Sequence, residues 1–448
     1  MIFPSFSKRI LHICYSDSRG GASRAAYRVH SALKNHQELL NTFSLFRSIH
    51  KGSADYSVLG GKPLNSNAAM IFKSRVLTKI QKVCDSSMDP HIHRTLCSQD
   101  SGLEVEINDL CSHYTNIVNL HFLNDSTLSL QEISRIKAPI VWRLPDQWAF
   151  LGCIHYQPID MQHRDLTSQA HCYIDKYAER PILSRKRGFD LDKLVYIRKQ
   201  NLLKRRIYFV APTRWMQRCL ANSALFDNQP CTIIPTPIDS SIWFKRNRIN
   251  ACKSLGLDPN LTYLMFGAVS ALDDTRKGSA LLLESLSILS TLLDDSSRYH
   301  ILIFGSTPHP EFNPPFACHY FGNIDDDDVL RDLYSCAELF LLPSIIDNLP
   351  GTGIEAHAMS LPVVGFDTGG LPDVVTHNVT GALATPFSAR DFAERIYWCL
   401  SDRQRLTFLA DSARHKAISL WDPLSIARRY SELYDHVLEN EHCLAQPS

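Results

Sequence analysis

Short apolar runs separated by longer amphipathic stretches recur along the whole chain. In the first half the runs fall at residues 10–15, 116–121, 139–144 and 207–211, with 232–239 closing the series. In the second half they fall at 261–268, 300–305, 320–323, 339–342 and 362–366. Runs this short and this continuously apolar predict strands of a parallel sheet covered on both faces. Between them lie segments with helical periodicity, among them SRAAYRVHSALKNH at 23–36 and the stretch after Gly278. Ser126 or Thr127 is placed to lead into a helix after the run at 116–121, and the acids at 325–328 to cap another. Residues 48–104 are polar and irregular, and predict loops with one helical piece at 68–83. Strand and helix alternate in both halves, joined by a hinge near 238–249. The pattern therefore predicts an α/β fold of two doubly wound, Rossmann-like domains facing across a cleft.

Composition narrows the function classes. The 448 residues carry a formal net charge of +1, which argues against a nucleic-acid partner. The charge is divided unevenly: 31 lysines and arginines face 20 acids over residues 1–240, against 16 and 26 in the remainder. A basic first half suits an anionic lipid surface or a pyrophosphate-bearing acceptor, and equally an ordinary solvated surface. The basic stretch at 180–206, interleaved with leucines and aromatics, reads both ways too. Thirteen cysteines without a C-x-x-C pair read as reduced, mostly buried thiols of a cytoplasmic protein. Cys153, His155 and Cys172 match no zinc spacing, and the acids at 325–328 read as helix caps rather than metal ligands. No run approaches the ~18 apolar residues of a membrane span, and the first residues lack the core and cleavage site of a secretion signal.

The candidate chemistry is concentrated in PSIIDNLPGTGIEAHAMSLPVVGFDTGGLPDVVTHNVTG, residues 343–381. Asp347 lies in the loop after a predicted strand, and Glu355 at the start of a predicted helix. Carboxylates there can accept hydrogen bonds from the hydroxyls of a sugar or ribose. The backbone N–H groups of Gly351, Thr352 and Gly353, near a helix N-terminus, suit a phosphate. Equally, Asp347 reads as a turn residue and Glu355 as an N-terminal helix acid. Arg276, Lys277 and Gly278 follow another predicted strand, where cations are well placed for a diphosphate. Gly20 and Gly21 turn the chain between the first strand and its helix, again allowing close approach of backbone N–H groups to an anion.

These residues carry a resemblance. The 343–381 stretch resembles the E-x7-E signature of retaining GT-B glycosyltransferases of family 4, in a variant whose first acid is Asp347, followed by the family's GG-[IL]-P-[DE]-[VI] strand-turn segment. Residues around 119–122 and 144–156 are similar to a bacterial exopolysaccharide branch of that family, as are FVAPTRW at 209–215 and IPTPID at 234–239. Two positions depart. Pro145 stands where the family has a histidine near donor sugar and acceptor, leaving Asp146 and His121 as the nearby polar candidates. Ala268 stands where the family has an arginine, leaving Arg276 to substitute.

The resemblance implies three parts: an acceptor-side domain at 1–240, a nucleotide-sugar domain at 241–422, and a C-terminal helix at 423–448 crossing back to the first. It implies transfer of a sugar, with retention, from a nucleotide-diphosphate sugar to a hydroxyl of a lipid-linked glycan acceptor in cell-surface polysaccharide synthesis. Lys277 and Arg276 would hold the pyrophosphate, Glu355 the ribose, and Asp347 with Asn348 to Gly353 the donor sugar. Gly20 and Gly21 would face the donor phosphates. No cofactor or metal is expected, and the location implied is cytoplasmic, peripheral on the inner face of the membrane. A non-catalytic sugar-nucleotide-binding partner and a sugar-nucleotide epimerase of the same fold are the alternatives. The first is motivated by Pro145 and Ala268.

Overall fold

A computed structural model describes residues 6–61, 100–123, 127–157, 191–202, 205–226 and 228–445. The first sheet holds β1 (Lys8–Ser16), β2 (Thr42–His50), β3 (Val58–Gly60), β4 (Ile117–Leu120), β5 (Ile140–Arg143), β6 (Tyr208–Ala211) and β7 (Cys231–Ile233). Their order is β3-β2-β1-β4-β5-β6-β7, with every pairing parallel. The second sheet holds β8 (Thr262–Gly267), β9 (Tyr299–Phe304), β10 (Ala317–Tyr320), β11 (Leu339–Leu342), β12 (Val363–Phe366) and β13 (Gly381–Ala384). Its order is β10-β9-β8-β11-β12-β13, also parallel throughout. Each sheet is wound outward in both directions from one central pair, β1/β4 in the first and β8/β11 in the second. The reversal of order makes that pair the switch point, and in sheets of this kind ligands bind outside the carboxyl ends of the strands there.

The chain divides into two compact units, residues 1–236 with 423–448, and residues 237–422. In each, strand side chains alternate between two apolar layers, as a period of two requires. Leu11 and Ile13 of β1 enter one layer of the first unit and Ile10 the other. In the second unit, Tyr263 and Met265 of β8 enter one layer, and Leu264 and Phe266 the opposite one. A fully buried side chain of this size contributes about 1.5–3 kcal/mol. Burial on both faces explains why these strands read as continuous apolar runs.

The C-terminal helix Pro423–Ala445 packs on the first unit. Ile426, Ala427, Tyr430, Leu433, Tyr434 and Val437 form a helical stripe against Val29, Ala32 and Leu33 of helix Gly20–Asn35. Asn119 Nδ2 donates to the Tyr434 hydroxyl at 2.7 Å, and Lys8 pairs with Asp435 at 2.7 Å.

Several elements differ from the sequence expectation. β2 and β3 pass through or beside the stretch read as irregular. β2 escapes notice because Thr42, Ser44, Arg47 and Ser48 are buried polar residues that break its apolar pattern. Helix Leu103–His113 follows it in sequence, and the predicted helical piece at 68–83 lies outside the described residues. Ser129, rather than Thr127, caps helix Leu130–Arg135 in a capping box with Glu132, and Ser126 lies outside the described residues. β10 occupies 317–320, ahead of the predicted 320–323, because Gly322 has a φ of +58° and turns the chain off the sheet. The GGLPDVV segment forms a helical turn, Leu371–Val374.

Candidate functional site

In the second unit the candidate residues meet at the switch point. The loop after β8 tightens into one helical turn, Thr275–Lys277, capped by the Asp274 side chain. Gly278 follows with a φ of +72°, and a Cβ there would stand 2.0 Å from the Pro343 carbonyl oxygen. Glycine alone lets this loop lie against the loop after β11. The backbone N–H of Ile345 donates to the Arg276 carbonyl at 2.8 Å, which stitches the two loops together.

Across that seam Lys277 Nζ donates to Asp347 Oδ2 at 2.6 Å, with both side chains largely buried. Asp347 is held from behind by the double glycine. Gly370 N–H donates to its carbonyl at 2.9 Å, and Gly369, at a φ of +57°, leaves no room for a Cβ beside the same oxygen. Asp347 Oδ1 also accepts from the Asn348 N–H at 2.9 Å. Arg276 turns its guanidinium to Asp274, at 2.5 Å. Ala268 follows β8 directly and brings no charge to the loop.

Helix Gly351–Ala358 begins four residues ahead of Glu355, so Gly351, Thr352 and Gly353 form its first turn. Pro350 occupies the cap position and gives no side-chain bond to these N–H groups. Space around Gly351 is open, while Gly353 packs on Val374 and Leu342. Glu355 is one turn further on and only 6 % exposed. The buried Tyr334 hydroxyl lies 3.2 Å from both Glu355 Oε2 and the Thr352 carbonyl oxygen, so it braces the carboxylate against the first turn. Sequence reasoning missed Tyr334, because it reads as one more apolar position of helix Asp327–Cys336.

The first unit holds the remaining candidates. Helix Gly20–Asn35 starts at Gly20, whose φ is +78°, so both glycines belong to its first turn rather than to a preceding one. Both face open space, and Arg19 at the cap position makes no side-chain bond to the turn. His121, just past β4, meets His12 of β1, with Nε2 and Nδ1 2.9 Å apart. Burial, with neighbouring positive groups added, drives both imidazoles well below the usual histidine range. Asp146 Oδ2 lies 2.6 Å from His155 Nδ1. His121, Pro145, Asp146 and His155 line one small pocket. Gly20 and Gly21 are not among its walls.

In sequence His155 read as an unconvincing metal ligand beside Cys153 and Cys172 and lay within the 144–156 stretch that carries the resemblance, without a role assigned to it. Cys172 lies outside the described residues, while the Cys153 N–H is bound by Asp192 at 2.6 Å. Among the described residues no group of three or more candidate ligands is placed to hold a metal ion, and no helix is long and apolar enough to cross a membrane.

Two parallel α/β units of this winding, with a C-terminal helix returning to the first, have the GT-B fold. Sucrose-phosphate synthase from Thermosynechococcus elongatus shares it, with a TM-score of 0.64 over 97% of this chain and 100% of that one, at 14% identity. Anabaena HepE, solved with UDP and glucose, shares it with a TM-score of 0.61 over 95% and 99%, also at 14% identity. Residues 263–402 match the family described as "Glycosyl transferases group 1". Those residues include Lys277, Asp347 and Glu355. The chain is also similar to the Campylobacter jejuni N,N'-diacetylbacillosaminyl-diphospho-undecaprenol alpha-1,3-N-acetylgalactosaminyltransferase, 31% identical over 156 residues. That match takes in 34% of this chain and 40% of the relative, so it spans less than half of either.

Proposed function

We propose that the protein is a retaining glycosyltransferase that moves a sugar from a nucleotide-diphosphate sugar to a hydroxyl of a lipid-linked glycan in cell-surface polysaccharide assembly. The observation that carries this reading is the Lys277–Asp347 pair at the β8/β11 switch point, inside the segment that matches the glycosyltransferase family. Lys277 supplies positive charge for the departing diphosphate, reinforced by the N–H groups of Gly351, Thr352 and Gly353 and by Arg276. Asp347 and the backbone from Asn348 to Gly353 receive the donor sugar, and Glu355, braced by Tyr334, accepts from the ribose hydroxyls. Gly20 and Gly21, on the first unit, offer N–H groups that suit an anion. These side chains and helix termini provide the charge for a metal-independent reaction.

In the step proposed, the bond from the anomeric carbon to the phosphate oxygen breaks, and its electron pair leaves with the nucleoside diphosphate. The acceptor oxygen bonds to the same face, and its proton passes to the departing phosphate. The undecaprenyl-linked acceptor in the name of the Campylobacter relative supports a lipid-linked acceptor, and the UDP and glucose of HepE support a nucleotide-sugar donor. The basic surplus of residues 1–240 supports peripheral contact with an anionic membrane, and high-salt washing that releases no protein from membranes would count against it.

The test of the reaction is incubation with nucleotide sugars and an undecaprenyl-diphospho-sugar, following nucleoside diphosphate release and reading the product's anomeric configuration by NMR. Release with a retained configuration is expected. An inverted product removes retention, and donor binding without release favours the non-catalytic alternative.

A further inference from the structure

Helix Gly351–Ala358 carries Glu355 and the first-turn N–H groups, and a side chain remote in sequence holds its other end. The Ala358 carbonyl belongs to the last turn, whose carbonyls have no partner within the helix. It accepts from the guanidinium of Arg414, which comes from helix Arg403–Leu420. The same guanidinium donates to the Trp243 carbonyl at 2.5 Å and to the Ser240 carbonyl at 2.8 Å. Burial alone moves the Arg414 pKa downward, and among the described residues no carboxylate pairs with it. Its charge is directed at carbonyl oxygens instead. A cation at a helix C-terminus is favourable for the same reason that an anion is favourable at the N-terminus.

The segment that supplies those two carbonyls also reaches the first turn of the helix. The buried Trp243 ring stands edge-on to Tyr334, with centroids 6.3 Å apart, and the Tyr334 hydroxyl lies against Glu355 and the Thr352 carbonyl. Trp421, which ends the Arg414 helix, completes the frame. Its carbonyl accepts from the Ile238 N–H at 2.9 Å, and its ring lies 5.9 Å from His357 of the Glu355 helix. Residues 238–243 therefore grip helix Gly351–Ala358 at both ends, through the Trp243 ring and Tyr334 at one and through the Trp243 carbonyl and Arg414 at the other. A helix of eight residues is too short to be stable by its own hydrogen bonds, so its position follows from these contacts.

We infer that Arg414 is a positioning residue of the donor site: by holding the Ala358 end of the helix against residues 240–243, it fixes where Glu355 and the first-turn N–H groups stand. Arg414 acts through the helix and not by touching the ligand. The inference rests on the transferase reading for the identity of that ligand as a nucleoside diphosphate. Without the guanidinium the helix keeps its hold at Tyr334 and loses the one at Ala358, and a small displacement of a binding group is enough to weaken the contacts it makes.

The test uses the full chain, titrated by calorimetry with UDP, GDP, ADP and dTDP, with a thermal melt of each protein. The variants are Arg414→Met, Arg414→Lys, Arg405→Met, Glu355→Gln and the double variant Arg414→Met/Glu355→Gln. Arg405 is the control: it lies on the same helix and also donates to a carbonyl, but that of Trp398 in helix Ala389–Leu400, whose ring it covers at 4.4 Å. One nucleotide is expected to bind wild type and to bind about three- to tenfold more weakly in Arg414→Met. Arg414→Lys, which keeps the charge at the helix end, should recover part of that loss. Arg405→Met should lower the melting temperature and leave the affinity unchanged. In the double variant the loss should be smaller than the product of the single losses, because Arg414 acts partly through Glu355. If Arg414→Met does not fold, Arg414→Lys, whose single ammonium cannot serve three carbonyls, carries the same comparison. Affinity equal to wild type in folded Arg414 variants, an equal fall in Arg405→Met, or losses that simply multiply would make Arg414 a structural contact and overturn the inference while the transferase reading stands. No nucleotide bound by folded wild type overturns the transferase reading, and this inference falls with it.

Discussion

Lys277 Nζ lies 2.6 Å from Asp347 Oδ2, and the pair joins the loops after β8 and β11, the two strands between which the second sheet reverses its order. The two charges come from positions 70 residues apart, and the pairing of β8 with β11 sets the loops that carry them side by side. Each is mostly withdrawn from water, so removing one leaves the other short of a partner. Lys277→Met and Asp347→Asn should each weaken nucleotide-sugar binding, and the double variant should lose less than the sum. A double-mutant cycle by calorimetry is expected to show a coupling of about 0.5–3 kcal/mol; additive losses would mean that the pair is incidental to donor binding.

Gly278 is a second point of failure in the same loop. Alanine there would take a left-handed conformation and press its Cβ into the Pro343 carbonyl. Gly278→Ala should cost about 1–3 kcal/mol in stability and shift Lys277 away from Asp347. Urea denaturation measures the first effect and donor titration the second. A variant as stable as wild type would show that the loop has another way to pack.

Tyr334 ties Glu355 to the first turn of its helix. Tyr334→Phe deletes only the hydroxyl, so the fold should lose about 1 kcal/mol while donor affinity falls about three- to tenfold. Unchanged affinity would detach Glu355 from the donor site.

How far these residues were legible depends on what their environment does to the sequence. β8, β9, β11 and β12 are covered on both faces, so they stand out as apolar runs, and the Asp347 and Lys277 loops could be placed from their ends alone. β2 was illegible because it buries Thr42, Ser44, Arg47 and Ser48. The helix holding Glu355 was placed four residues late, since Gly351 and Gly353 are poor helix formers that the preceding Pro350 nonetheless starts on a helical path. Glycines 369 and 370 were visible as a motif, but their task of holding the Asp347 carbonyl exists only after folding. The Asp146–His155 contact spans nine residues of irregular loop, for which no periodicity speaks.

The histidine cluster of the first unit makes a pH prediction. Burial lowers the pKa of His30 from 6.5 to about 4, against a raising influence from Asp55 and with a further lowering one from Lys34. His12 and His121 are pushed the same way, also chiefly by burial. In the unfolded chain these rings take up protons near pH 6.5, whereas in the folded unit they stay neutral until lower pH. Stability is therefore present above the unfolded pKa and is lost as pH falls through the window from about 6.5 to about 4, by roughly 3 kcal/mol for His30 alone. Urea midpoints at neutral pH and at about pH 4.5 should fall accordingly. His30→Gln, which keeps an amide for Ser44 or Ser57, should flatten the acid limb; an unchanged slope would put the acid sensitivity elsewhere.

The central claim is that the second unit binds a nucleotide-diphosphate sugar through Lys277 and Glu355. Saturation-transfer NMR with UDP-, GDP-, ADP- and dTDP-sugars on wild type, Lys277→Ala and Glu355→Ala addresses it directly. The account predicts one sugar nucleotide whose signal is present in wild type and disappears in both variants. No signal from any nucleotide in folded wild-type protein, or a signal that survives both substitutions, would contradict it.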